Sequence, residues 1–304
     1  MLPVITFGPI SISSFGLSLS LGFLFGVFLI WRLSRAWDLN EEKVLDFTIL
    51  TFIGGLIGAR IYFILENFGI FGADFLKWIL IHKYQGFSFW GGVFGGILAL
   101  KLYSKKFRIN FWQAFDFAAV GFLGGLIFLS LGCFLGGCNI GIPSKLFFAL
   151  PMVGAIGTRF PIQLFEAIVL WNVLSTQWKR ATHFHIHGTI ASMSLISVGA
   201  VMLISQPFKQ LHYRADVVFS ALLIILGLRF FYKITKRKVL TDTISLARFL
   251  INLIRDRQTQ KIFVSGIKRS WYNYKVSVKW KIRILTKLLR RLNVRFSHKD
   301  SKYY

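Results

Sequence analysis

Residues 116–144 read DFAAVGFLGGLIFLSLGCFLGGCNIGIPS, an apolar stretch rich in glycine. It opens on a single acid, Asp116, and ends just after Pro143. Its glycines stand at Gly121, Gly124, Gly125, Gly132, Gly136, Gly137 and Gly141. Glycine at this density lets membrane helices approach closely, and lets a chain turn at membrane depth where it faces protein or a water-filled cavity. The stretch therefore indicates either the wall of a site in a membrane protein or a helix whose glycines serve packing alone.

The composition of the whole chain indicates a membrane protein with a basic tail. Hydrophobic residues make up 55% of the 304 residues and the mean hydropathy is +0.59, which is too apolar for a soluble domain of this size. The net charge is +25, yet 20 of the 37 Lys and Arg residues lie from Lys233 onward. We therefore predict an apolar membrane domain over residues 1–235 and a basic amphipathic cytoplasmic tail over residues 236–304.

Seven apolar runs approach the ~20 residues that a membrane-spanning helix needs. They lie at about 11–31, 45–65, 87–104, 112–135, 160–178, 187–206 and 215–232. Each odd-numbered run is followed by basic residues, such as Arg32 and Lys233, and these favour the cytoplasmic side. The sequence thus predicts an all-α polytopic membrane protein with about seven transmembrane helices, its N-terminus outside and its C-terminus cytoplasmic. The first run lacks a basic start and a cleavage site, so we expect a retained span.

Ionisable residues inside the apolar body are candidates for a site, because a charge in a membrane is costly and usually functional. Arg60 and Arg159 can each hold a phosphate through a bidentate guanidinium fork. Asp116 or Glu166, with Gln163 beside the latter, can orient such an arginine or accept a proton. We expect the group to share one side of the membrane. The alternative is a set of structural ion pairs between spans.

The histidines and cysteines predict neither a metal site nor a cofactor. His183, His185 and His187 alternate in a basic loop after Lys179 and Arg180, where we expect no carboxylate or thiol nearby, so we interpret them as incidental. Cys133 and Cys138 lack the C-x-x-C spacing of metal sites. Two interpretations of the cysteines stay open: small packing residues, or a disulfide on the outer face.

Five segments, in order over about residues 8–232, resemble the prolipoprotein diacylglyceryl transferase family. SISSFGLSLSLGF resembles the opening span of the family, IGARIYFILENF its Gly-Arg span and FSFWGGVFGGILA its His-Gly-Gly segment. The run from Asp116 is similar to the family signature, in which an Asp precedes a glycine-rich run. TRFPIQLFEA resembles the family's His-Pro-x-Gln-Leu-Tyr-Glu motif.

The resemblance implies an enzyme of the bacterial cytoplasmic membrane. Such enzymes transfer the diacylglyceryl group of phosphatidylglycerol to the lipobox cysteine thiol of a prolipoprotein, which binds through its signal peptide. We expect Arg60, Gln163 and Glu166 to be catalytic. Residues expected to bind substrate are Asp116, Arg159, Gly91, Gly92, Gly137, Asn139 and Gly141.

The chain departs from the family pattern at several polar positions. The residues that replace the usual ones are Phe15, Trp90, Ser130, Cys133, Gly136, Cys138, Met202 and Gln206, whereas Lys209 keeps the charge of an arginine. One alternative is therefore a catalytically impaired member that binds phospholipid or a lipoprotein partner. Another is a small transporter lined by broken glycine-rich spans.

The basic tail lies outside the resemblance. Apolar residues recur at helical spacing from Leu246 to Ile254, with Arg248 and Arg255 off that stripe. Such a helix suits an anionic lipid surface, and we expect anionic lipid rather than nucleic acid as the partner of the tail. KVSVKWKIRI alternates with period two, a pattern that is compatible with a short strand.

Overall fold

The structure is a computed structural model that describes residues 4–7, 10–72, 74–80, 84, 86–211 and 214–300. The described chain is mainly helical, with two short β hairpins. Strands β1 (Val4–Phe7) and β2 (Ile10–Ser13) pair antiparallel before the first helix, and β3 (Leu150–Pro151) pairs with β4 (Thr158–Arg159). The prediction of a helical polytopic membrane protein is confirmed, since five helices are long and apolar enough to cross a membrane.

The helices of the membrane domain follow the apolar runs of the sequence. They are α1 (Ser14–Ala36), α2 (Glu41–Glu66), α3 (Phe68–Phe71), α4 (Phe75–Ile79), α5 (Phe89–Lys106), α6 (Phe111–Gly136), α7 (Ile162–Ala181), α8 (Thr189–Ser205) and α9 (Arg214–Thr235). The 3₁₀ helix Gln206–Phe208 extends α8. The five long apolar segments are α1, α2, α6, α8 with this extension, and α9. Helices α5 and α7 coincide with the third and fifth predicted spans.

Local sequence explains where these helices begin and end. The Asn40 side chain accepts a hydrogen bond from the Lys43 backbone N–H at the start of α2, and Asn110 caps α6 by accepting from Trp112. Basic residues occupy the last turns of α5 and α7, where they complement the helix dipole. Helix α6 ends at Gly137, which adopts a left-handed conformation with φ of 78°.

Glycines set the helix packing in the membrane domain. Helix α1 lies against α6 where Gly26 meets Gly121, and α2 lies against α5 where Gly58 meets Gly95. A Cβ added at Gly58 would lie 2.6 Å from the Gly95 Cα, so only glycine permits this approach. Aromatic and branched side chains, among them Phe47, Phe117 and Leu123, fill the core around α6.

The chain separates into two compact units at Lys236. The second unit contains α10 (Val239–Arg255) and α11 (Arg257–Asp300). The predicted amphipathic helix is confirmed as α10. The short strand considered for residues 275–284 is wrong, because these residues lie within α11. Among the described residues no strand is available to pair with them, so their backbone groups form helical hydrogen bonds instead.

Candidate functional site

Three chain segments meet beyond one end of the membrane helices and form a narrow strip. The Ile142 N–H donates to the Phe208 carbonyl at 3.0 Å, and the Phe160 N–H donates to the Ile142 carbonyl at 3.0 Å. Isolated bridges join Gly141 to Lys209 and Pro143 to Arg159. The segment after α6 is therefore held between the segment before α7 and the segment after α8. This strip positions four polar side chains, Arg159, Gln163, Glu166 and Lys209, which we call the loop site.

Glu166 and Lys209 form an ion pair at the centre of the loop site. Lys209 Nζ lies 3.0 Å from Glu166 Oε1, and the two side chains are 10% and 12% exposed. Glu166 lies one turn inside α7, whereas Lys209 directly follows the 3₁₀ helix. Because an ion pair removed from water is screened little, each charge depends on the other for its stability there.

Gln163 braces the turn that follows α6. Its side-chain amide donates to the carbonyls of Cys138 and Asn139, both at 2.8 Å, and Gln163 is 1% exposed. Its Oε1 is buried and has no hydrogen-bond partner among the described residues. Asn139 has a φ of 53°, a left-handed conformation that asparagine tolerates better than most residues. The braced turn thus leaves one buried acceptor available to a donor.

The two cysteines form a disulfide at the end of α6. Cys133, in the last turn of the helix, is bonded to Cys138 in the braced turn. Of the two interpretations that the sequence left open, the disulfide is the one found. The bond fixes the direction in which the chain leaves α6, and therefore helps to place Gly141 beside Lys209.

Arg159 is only partly satisfied by the protein. Its Nη1 donates to Gln210 Oε1 and its Nη2 to the Ile156 carbonyl, both at 3.3 Å. Its Nε is buried without a partner among the described residues. Arg159 has spare N–H capacity and lies on the same strip as Lys209, so the strip contains two positive charges that suit a phosphate oxygen.

Arg60 uses its guanidinium within the protein. It donates to the carbonyls of Tyr84 at 2.7 Å, Gly86 at 3.0 Å and Trp78 at 3.1 Å, and it is 7% exposed. These contacts tie the end of α4 and the segment between α4 and α5 to α2, because a charged donor can satisfy several carbonyls at once. Its hydrogen bonds therefore go to this segment and not to the loop site.

Gly91 and Gly92 lie at the start of α5, and they differ in surroundings. A Cβ at Gly91 would lie 2.6 Å from the Gly58 carbonyl of α2, whereas one at Gly92 would have ordinary contacts, the nearest at 3.5 Å. The neighbouring Trp90 is buried, and its indole N–H donates to Asp216 at 2.8 Å. Gly91 is thus a packing residue of the α2–α5 contact.

Asp116 lies at the opposite end of α6 from the loop site, about twenty residues or about 30 Å along the helix. Its carboxylate is fully buried and accepts the backbone N–H groups of Gly188 at 2.6 Å and Ala191 at 2.7 Å, which caps α8. The expectation that the charged residues share one side is therefore wrong for Asp116. A role for it in substrate binding stays a prediction.

The Asp116 carboxylate also faces the histidine loop. His185 Nε2 lies 3.6 Å from Asp116 Oδ2, and this carboxylate raises the pKa of His185 although partial burial opposes the change. The premise that these histidines have no carboxylate nearby is wrong. Asp116 lies 69 positions before His185 in sequence, but the fold brings the two side chains together.

The structure brings Arg159, Gln163 and Glu166 together with the turn that contains Gly137, Asn139 and Gly141. The sequence assigned no role to Lys209, which is the positive partner of Glu166. The sequence does contain a signal for Lys209, because this lysine keeps the positive charge of an arginine that the family has after the sixth span.

The fold and the loop site define a polytopic helical membrane protein with converging polar side chains where α6, α7 and α8 meet. Comparison with known sequences identifies the family: the chain belongs to the prolipoprotein diacylglyceryl transferase family, whose sequence profile matches residues 3–233. The resemblance noted in the five segments is confirmed.

Individual relatives share the name phosphatidylglycerol–prolipoprotein diacylglyceryl transferase. The protein of Aeromonas hydrophila is 32% identical over 221 residues, which covers 67% of this chain and 77% of the relative. That of Idiomarina loihiensis is 30% identical over 213 residues, with the same coverage. For the protein of Thermosynechococcus vestitus the figures are 28% over 174 residues, or 55% of this chain and 64% of the relative.

Proposed function

We propose that this protein transfers the diacylglyceryl group of phosphatidylglycerol to the lipobox cysteine thiol of prolipoproteins. Family membership supports this activity, and the names of the relatives give the same donor and acceptor. The observation that carries the proposal is the Glu166–Lys209 pair on the strip that also contains Arg159, because the reaction needs both a proton acceptor and positive charge.

The reaction is a substitution at carbon. The thiolate sulfur attacks the carbon of the diacylglyceryl group that is bonded to the phosphate oxygen. An S–C bond forms, and the C–O bond between this carbon and the phosphate oxygen breaks. The electron pair of the broken bond leaves on glycerol phosphate, and the thiol proton passes to a base. The protein has to stabilise the thiolate and the departing phosphate at the same time.

The residues of the loop site divide these tasks. Arg159 binds the phosphate through its unpartnered N–H, and Lys209 adds positive charge where the negative charge of the leaving group develops. Glu166 accepts the thiol proton, since it is the carboxylate of the loop site. Gln163 orients the peptide through its free Oε1. Asn139 lies in the turn that substrate meets, and Gly137 and Gly141 shape this turn, because Val153 and Phe160 occupy the space that a side chain at either glycine would need.

Residues away from the loop site support it indirectly. Arg60 acts as a positioning residue, because it ties the segment before α5 to α2. Gly92 is less tightly packed than Gly91 and contacts an acyl chain of the lipid, whereas Gly91 sets the distance between α2 and α5.

The protein acts in the bacterial cytoplasmic membrane with seven spans, its N-terminus outside and its basic tail in the cytoplasm. This topology places the loop site at the outer face, where a lipobox cysteine lies after its signal peptide has inserted. The basic tail of residues 236–304 binds the anionic cytoplasmic leaflet.

A second function is binding of phospholipid or a lipoprotein without transfer. It is favoured by the Cys133–Cys138 disulfide and by Trp90, whose indole is bound to Asp216, because these residues replace polar family positions. Lipid binding with no product would distinguish it from the enzyme.

The test is rescue of a bacterial strain depleted of its own transferase, followed by mass spectrometry of a lipobox peptide. Activity predicts a peptide heavier by one diacylglyceryl group. Lys209→Met and Glu166→Gln should abolish the adduct, while Arg214→Ala, an exposed basic residue at the start of α9, should leave it unchanged. No adduct from the stably inserted parent protein would overturn the proposal.

A further inference from the structure

A second cluster of polar side chains lies at the end of α6 opposite the loop site. Asp116, His185 and His187 each offer a ligand atom, and these atoms all lie within 4.8 Å of one another. Asp116 is buried, His185 is half-buried and His187 is exposed, so the cluster runs from the core to the surface. Two imidazoles and a carboxylate are the ligand types that Zn²⁺ and related divalent transition metals prefer.

The hydrogen bonds of His185 fix which of its nitrogens is available. His185 Nδ1 lies 2.9 Å from the His183 carbonyl, which can only accept, so Nδ1 carries a proton. His185 Nε2 is buried and has no hydrogen-bond partner among the described residues. Nε2 faces the Asp116 carboxylate, so in a neutral His185 the Nε2 lone pair points at a negative charge. A proton or a metal ion between Nε2 and the carboxylate removes this repulsion.

The separation of the two groups suits a bound cation. His185 Nε2 and Asp116 Oδ2 lie 3.6 Å apart, which is longer than a good hydrogen bond. Two ligand atoms on a tetrahedral zinc, each at about 2.0–2.2 Å, lie about 3.4 Å from each other. The observed distance therefore requires little movement of either group.

The neighbours of the cluster hold the ligands in place. The Asp116 oxygens each accept one backbone N–H and keep a second lone pair, so the cap of α8 orients the carboxylate without using it up. The Trp37 ring packs against both imidazoles, at 5.1 Å from His185 and 6.2 Å from His187. Outer contacts of this kind orient metal ligands and tighten binding.

The basic residues nearby do not remove this attraction. Lys179 and Arg180 line a cavity of about 430 Å³ beside the loop, together with His183 and His185. Both side chains are exposed, so water and salt screen their repulsion, whereas Asp116 is buried and its charge is screened little.

We propose that Asp116, His185 and His187 bind a divalent transition metal of the zinc class. The ion joins α6 to the connection between α7 and α8, with solvent at its remaining position. Its role is to fix this connection, because the site lies at the far end of α6 from the loop site. The proposal is independent of the transfer activity.

The test uses the full chain without a polyhistidine tag, purified in detergent and stripped with a chelator. Titration calorimetry with ZnCl₂ and elemental analysis after gel filtration should give one zinc per chain. His185→Ala and His187→Ala should each weaken binding by at least about tenfold, a loss already seen when outer-shell partners of metal ligands are removed. His187 is exposed, so His187→Ala keeps the fold.

His183→Ala is the matched control, since His183 shares the loop but lies outside the cluster. It should bind zinc like the parent. A Co²⁺ titration should show d–d absorption bands that His187→Ala abolishes. Absence of stoichiometric zinc, equal loss in His183→Ala, or binding unchanged in both ligand variants would each overturn the proposal.

Discussion

Lys209 Nζ lies 3.0 Å from Glu166 Oε1, and this pair joins the segment after α8 to the first turns of α7. Neither charge is exposed enough to be solvated by water alone. The two residues are 43 positions apart in sequence, so the pair exists only because the strip around Gly141 brings the segments together. Its position makes the pair both a structural tie and the polar centre of the loop site.

Replacing one residue of the Glu166–Lys209 pair should lower the stability more than replacing both. Lys209→Met or Glu166→Gln leaves one largely buried group without its partner, and such losses reach about 3–5 kcal/mol for fully buried pairs. The double variant should be more stable than the sum of the two single effects predicts. Melting temperatures of the four proteins in detergent test this; strict additivity would mean that the pair contributes nothing.

The transfer assay distinguishes a structural role of the Glu166–Lys209 ion pair from a role in the reaction. Lys209→Arg keeps the charge and should retain a measurable adduct, whereas the Glu166→Gln, Lys209→Met double variant should stay folded and yield none. If the double variant transfers like the parent, the pair is structural only.

Arg60→Ala should loosen the segment before α5. Three good hydrogen bonds from a guanidinium are lost, and partly buried carbonyls are left unsatisfied, so we expect a loss of about 2 kcal/mol in stability. Amide hydrogen exchange over residues 74–80 should speed up. Arg60→Lys should rescue only part of the effect. The ammonium keeps the charge and some of the hydrogen bonds, but it cannot reach all the carbonyls that the guanidinium reaches.

Arg229→Ala is the control for Arg60, since Arg229 is an exposed arginine of α9. It should change neither exchange nor melting temperature. Unchanged transfer in Arg60→Ala would show that Arg60 has no part in the reaction, even if the segment loosens.

The Cys133–Cys138 disulfide should contribute a modest stability. The bond closes a loop with a sequence separation of 5, for which loop entropy gives about 2 kcal/mol. The Cys133→Ser, Cys138→Ser double variant should therefore melt a few degrees lower, and reducing agent should lower the melting temperature of the parent but not of the variant. A variant as stable as the oxidised parent would contradict this account.

Helix α10 should be protected by anionic lipid. Its apolar residues include Leu240, Phe249 and Ile251, all exposed in the described chain, and each nearby Lys or Arg adds about 1 kcal/mol at an anionic surface. Amide exchange of α10 should slow in nanodiscs that contain phosphatidylglycerol, and high salt should reverse the effect. Neutral nanodiscs are the control, and equal exchange in both would exclude surface binding.

The sequence predicts the helices well because a bilayer demands a fixed length of apolar chain. The seven runs all coincide with helices, and interior residues such as Gln163 and Glu166 were recognisable from their charge or polarity in apolar surroundings. These features depend on local composition alone.

Contacts between distant segments could not be predicted in this way. Charge alone groups Asp116 with Arg159, yet Asp116 lies at the other end of α6, where it caps α8. The same fold brings His185 to that carboxylate. The partners of Arg60 are backbone carbonyls, which leave no mark in a sequence.

Adjacent glycines in α5 provide the sharpest separation of packing from substrate binding. Gly91→Ala would place a Cβ 2.6 Å from the Gly58 carbonyl, so α2 and α5 must move apart, and overpacking of this kind costs about 1–3 kcal/mol. Gly92→Ala meets only ordinary contacts, and alanine favours a helix over glycine by about 1 kcal/mol, so its stability should be equal or higher. Melting temperatures should therefore fall for the first variant and not for the second.

If Gly92 admits an acyl chain, Gly92→Ala should lower the adduct yield with no loss of stability. A Gly92→Ala protein with full transfer would remove Gly92 from the substrate-binding residues, and a Gly91→Ala protein as stable as the parent would contradict the close α2–α5 contact.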